Sequence, residues 1–97
     1  MKAVYPALFT KINTDVLVEV PDLEILTGGK DMSNAIEMAR DAIELTCVSM
    51  EDEGKEVPVP SEMLDVNSRT FSNDGTTIVS FVDIDSSEYR RKIYTKV

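Results

Sequence analysis

The chain has no histidine and only one cysteine, Cys47, in its 97 residues. Without histidine, the commonest general base and the commonest metal-binding side chain are both missing. That excludes a Cys–His nucleophile pair and the ordinary zinc sites, and a lone thiol makes no internal disulfide. No apolar run approaches the roughly 20 residues of a membrane span. The opening Met-Lys-Ala-Val-Tyr-Pro has no signal-peptide core, and the chain shows no repeat and no low-complexity tract. Gly28-Gly29-Lys30 lacks the spacings of the nucleotide-binding glycine motifs, so it makes no phosphate cradle. Bases are scarce: 10 Lys and Arg against 18 Asp and Glu leave a net charge of -8. An acidic body argues against nucleic acid as the direct ligand. It suits a basic protein partner, and it also serves simply to keep a small domain soluble.

The acids themselves do not assemble into a metal site on the sequence pattern. Asp22 and Glu24 lie beside a turn, and Asp83 and Asp85 end a strand. A two-metal nuclease needs acids converging from a central strand, and the first strand, residues 3–10, carries none. No catalytic residue, metal site or cofactor is expected. The composition fits one cytoplasmic domain in which Cys47 fills the core.

What the chain does have is one long helical pattern, residues 32–53. Asp31 is placed to cap its start, with Asn34 three residues on, and Gly54 suits the left-handed position that ends helices. At 100° per residue, Met32, Ala35, Ile36, Ala39, Ala42, Ile43, Thr46, Cys47 and Met50 share one apolar arc. Such a helix is about 33 Å long and is expected to lie across a sheet. Glu37, Arg40, Asp41, Glu44, Glu51 and Asp52 fill the opposite arc, and Leu45 and Val48 sit among these acids. Two apolar residues ringed by carboxylates make a candidate contact for a basic partner: Glu37, Asp41, Glu44 and Glu51 steering, Leu45 and Val48 touching.

Strand patterns surround the helix. Residues 3–10 read as a strand in which Pro6 leaves one side unpaired. Ile12–Asp15 reads as a turn, and Val16–Val20 as the second strand of a hairpin. Leu23–Thr27 reads as a short third strand closed by Gly28-Gly29. Pro58 and Pro60 stiffen a connector after the helix, and Asn73-Asp74-Gly75 signals a turn. Thr76–Asp85 is the strongest strand pattern. Its β-branched or aromatic residues on both faces are what an interior strand carries. Ser86-Ser87-Glu88 starts at most a short helical turn, and Tyr89–Val97 reads as basic and extended. The fold class is α+β in the order β-β-β-α-β: a three-stranded antiparallel sheet plus a fourth strand, with one long helix on a face.

Several stretches resemble HicB-family antitoxins. They are Tyr5-Pro6-Ala7-Leu8-Phe9, Val18-Glu19-Val20-Pro21-Asp22-Leu23, and Gly29-Lys30-Asp31 leading into Asn34–Ala39. Glu53-Gly54, Val57–Ser61, and Val82–Asp85 with Glu88–Lys92 follow in order, so the resemblance covers residues 1–92. It implies a partial RNase H-like fold without nuclease activity, in a bacterial toxin–antitoxin system. It also implies a homo-oligomer whose partner is a HicA-type toxin, a small basic mRNA-cleaving protein. Residues 1–89 would be the toxin-binding domain. The basic tail 90–97 would be a linker to an absent carboxy-terminal DNA-binding segment, through which alone such a protein would meet DNA. The alternative of another class is a stand-alone protein-interaction or oligomerisation domain without a cognate toxin.

Overall fold

Continuous burial along the first two strands, over residues 5–10 and 18–20, builds the floor of the molecule. The structure, a computed structural model, describes residues 1–62 and 76–94. The Asn73–Gly75 turn signal and residues 95–97 lie outside the described residues. Strand β1 (Lys2–Ile12) turns through Asn13, which takes a left-handed φ of 57°, into β2 (Asp15–Val20). Their register pairs Phe9 with Val18 and Lys11 with Val16. Tyr5, Ala7, Phe9, Val16, Val18 and Val20 are all buried in one core. Pro6 is tolerated for a reason visible in the ladder. Pairing of β1 with β2 begins only at Leu8 and Glu19, so no strand of the sheet asks for the missing N–H.

Strand β3 is Ile25–Gly29, two residues later than the sequence pattern suggests. A 3-10 turn takes up Pro21–Leu23, and Glu24 closes it in the left-handed region at φ 55°. Gly28 and Gly29 therefore lie inside the strand, opposite Leu17 and Val16, and do not form a loop. Helix α1 (Met32–Asp52) follows, capped as expected: Asp31 Oδ1 accepts the Asn34 N–H at 2.7 Å. Asn34 reaches back to accept the Lys30 N–H at 3.0 Å, and Gly54 leaves the helix at φ 73°. Ala35, Ala39, Ile43 and Cys47 press on the sheet core.

Strand β4 (Thr77–Asp85) joins β1, and the sheet order is β3-β2-β1-β4 with every neighbouring pair antiparallel. The pattern of an interior strand is thus found at an edge of the sheet that the described residues form. Ile78 and Phe81 are about half exposed, at 49% and 51%. A second helix, α2 (Ser86–Tyr94), occupies most of the tail expected to be extended. Asp85 starts it by accepting the Ser87 N–H at 3.0 Å, and α2 packs on α1.

The connector after α1 is pinned to the sheet side chain by side chain. Tyr5 donates to the Pro58 carbonyl at 2.6 Å, and Asp22 accepts from both the N–H and the hydroxyl of Ser61 at 2.7 Å. Burial, with Cys47 and then Asp22 adding, pushes the Tyr5 hydroxyl up to about 12. Its folded value lies above its unfolded one, so the stabilisation is complete below pH 10. It fades as pH rises through about 12, because the unfolded chain ionises first. Denaturant titrations should lose on the order of 2 kcal/mol across that window, beyond any loss in Tyr5→Phe. Equal pH profiles for the two proteins would show that this hydroxyl ionises freely in the fold.

Candidate functional site

A helix lying on a sheet offers its outward ridge to partners, and the position of each side chain on α1 decides what that ridge is. Glu37 and Asp41 are exposed, as is Leu45 at 48%. Met38, 41% exposed, stands seven residues before Leu45, two turns down the same ridge, with Asp41 between them. The outward surface is therefore Met38 and Leu45 flanked by Glu37 and Asp41. Among the described residues neither of these acids has an ion-pair partner, so their charge stands open to a basic partner.

The other three predicted contact residues are placed differently. Val48 is 3% exposed and Glu44 is 7% exposed, so the expected Leu45–Val48 pair does not exist on the surface. Glu44 Oε2 accepts the Asp85 N–H at 3.1 Å, at the start of α2, where a carboxylate is favoured by the helix dipole. Glu51 is held by Arg90 at 3.1 Å, and Arg90 also meets Asp52 at 2.8 Å. Asp52 first and Glu51 second hold the Arg90 guanidinium above its ordinary value. The reason is α2, which lies against this side of α1 and turns part of the acidic arc into a helix–helix seam. Sequence reasoning found Leu45 but missed Met38. The signal available for it was their seven-residue spacing.

The basic end of the chain is drawn inward by the same contacts. Arg90 is engaged on α1, and Arg91 pairs with Glu88 within α2. At the edge of the sheet Arg40 donates to both the carbonyl and the carboxylate of Asp83, each at 2.9 Å. The hydrogen bond from Arg40 holds the Asp83 carboxyl below its ordinary value. Among the described residues no group of three or more His, Cys, Asp or Glu is placed to hold a metal ion. No helix among them is long and apolar enough to cross a membrane.

With this geometry in hand, comparisons with known proteins are specific. A family model described as HicB-like antitoxin of bacterial toxin–antitoxin systems matches residues 5–96. A chain from a toxin–antitoxin complex of Streptococcus pneumoniae is similar in structure, with a TM-score of 0.78 and 26% sequence identity. The match covers 92% of this chain and 73% of that one. Among curated proteins none matches.

Proposed function

The chain belongs to the HicB-like antitoxin family of bacterial toxin–antitoxin systems, and from that premise we propose that it is a non-catalytic cytoplasmic domain that binds and neutralises a HicA-type toxin. The observation that carries this reading is the family match, which runs through the whole sheet, α1 and α2. The similarity to a chain from a toxin–antitoxin complex supports it.

The toxin-binding surface in this reading is the α1 ridge: Met38 and Leu45 as apolar contacts, Glu37 and Asp41 as steering charges. A small mRNA-cleaving toxin is basic because its substrate is a polyanion. An acidic ridge meets it by complementarity and covers charge that RNA would otherwise use. Glu44 and Glu51 hold the start and the body of α2, Val48 is buried, and all three contribute to binding only by supporting the ridge.

The test is co-purification with any small basic protein encoded beside this chain, followed by binding kinetics. Reversing Glu37 and Asp41 to lysine should slow association by about tenfold or more at low salt, with a smaller change in dissociation. The difference from the natural sequence should shrink as the screening length falls toward about 8 Å at physiological salt. Leu45→Ala should instead speed dissociation. Failure of the neighbouring protein to co-purify would favour a stand-alone interaction domain. Binding that ignores both sets of changes would move the interface off α1.

A further inference from the structure

We propose that Asp83 is a positioning residue for the partner-binding ridge: it holds Arg40 on β4 and so keeps the one cation of α1 off Glu37 and Asp41. The inference rests on the toxin-binding reading and deepens it. Helix α1 carries five acids, Glu37, Asp41, Glu44, Glu51 and Asp52, against one base, Arg40. Three of the acids serve α2: Glu44 accepts the Asp85 N–H, and Glu51 and Asp52 meet Arg90. Of the acids on α1, only Glu37 and Asp41 are left to offer charge to a basic partner.

With so few charges, a single misplaced cation decides how acidic the ridge is. Arg40 follows Glu37 by three residues, a spacing at which helix side chains meet. Glu37, Met38, Arg40 and Asp41 border one recess on the ridge, and Lys92 of α2 borders it too. One cation thus already stands beside the two acids, and a loose Arg40 would be the second, enough to cancel both.

The guanidinium is instead turned away. Its Nε donates to the Asp83 carbonyl and a terminal nitrogen donates to the Asp83 carboxylate, each at 2.9 Å. Two acceptors fix both the position and the direction of a planar guanidinium, so its charge cannot swing back along the helix without losing both bonds. The pair does little for stability. The two side chains are 38% and 81% exposed, and exposed ion pairs contribute little net free energy. What the geometry achieves is electrostatic: the charge of Arg40 is cancelled on β4, and the charge of Glu37 and Asp41 is left to the partner.

The experiment uses the whole chain and a short polylysine peptide in place of the basic partner. Binding is followed at low salt through the methyl resonances of Met38 and Leu45, which report on the ridge itself. Asp83→Ala should weaken binding by about fivefold when Arg40 is present, but only by about twofold on an Arg40→Met background, the worth of one unit charge some 8 Å away in water. The excess is the part that Asp83 exerts through Arg40, and it should vanish at high salt. A merely structural pair would show no such coupling, and the unfolding transition should stay nearly where it is. If Asp83→Ala folds poorly, Asp83→Ser takes its place. Equal losses on the two backgrounds would show that Asp83 acts by its own charge, and would overturn the proposal. So would full binding by Asp83→Ala. Reversing Glu37 and Asp41 to lysine tells the two possible failures apart. Methyl shifts indifferent to that reversal remove the ridge and this inference with it. Shifts that the reversal abolishes, with equal losses on the two Arg40 backgrounds, overturn this inference alone.

Discussion

Replacing Ile43 with alanine should lower the free energy of unfolding by about 2–5 kcal/mol, the range for truncating a core isoleucine or leucine. Ile43 is fully buried at the middle of α1, within the cluster that joins helix and sheet. In a domain this small the loss is a large share of total stability, because net stabilities run about 5–15 kcal/mol. A melting temperature lower by at least about 8 °C should accompany it, from about 4–8 °C per kcal/mol at this size. The measurement is urea unfolding followed by far-ultraviolet circular dichroism, with the denaturant slope compared between the two proteins. A loss below about 1 kcal/mol at unchanged slope would mean that the two layers close over the gap, and that Ile43 is not the centre of their contact.

Gly29→Ala should be nearly as damaging, for a different reason. The added methyl would sit 2.7 Å from the Cα of Ala35, 2.9 Å from the carbonyl carbon of Asn34, and closer still to the Ala35 nitrogen. These are backbone atoms of the first turn of α1, so no side chain can rotate away. The helix must lift from β3. Overpacking of this kind costs about 1–3 kcal/mol, and a rigid backbone neighbour puts the expectation at the upper end. Gly54→Ala is the control. Gly54 has nothing within 4 Å of the added methyl but holds φ at +73°, so its cost is conformational only, about 1 kcal/mol. Gly29→Ala should therefore cost more than Gly54→Ala in the same unfolding measurement. The reverse order would show that α1 and β3 do not approach as closely as the structure places them.

The two glycines also separate what sequence can say from what it cannot. Gly54 is legible, because a left-handed helix end is a local event: an apolar arc stops and a residue without Cβ follows. Gly29 reads only as a turn residue, since the helix it lies under is joined to it by contact and not by pattern.

The same division runs through the whole molecule. The sequence by itself determined α1 with its Asp31 cap, the β1–β2 hairpin with Val16, Val18 and Val20 inward, the α+β order and the acidic balance. Each depends on period, capping or composition, which neighbouring residues carry among themselves. The antitoxin family was legible too, because it rests on short motifs at fixed spacing. Tertiary structure alone decided that β4 is an edge of the sheet formed by the described residues, that Ser86–Tyr94 is a helix, and that Glu44 and Val48 face inward. Periodicity says which residues share a face of α1, but the width of the buried face is set by whatever packs there. That neighbour is α2, whose short, strongly polar sequence gives little sign that it packs on the body and which ion pairs from Arg90 tie to Glu51 and Asp52, 39 and 38 positions earlier in the chain. Contacts at that separation leave no trace in local pattern, so the candidate ridge narrowed from six predicted residues to Glu37, Asp41 and Leu45, with Met38 added by its exposure.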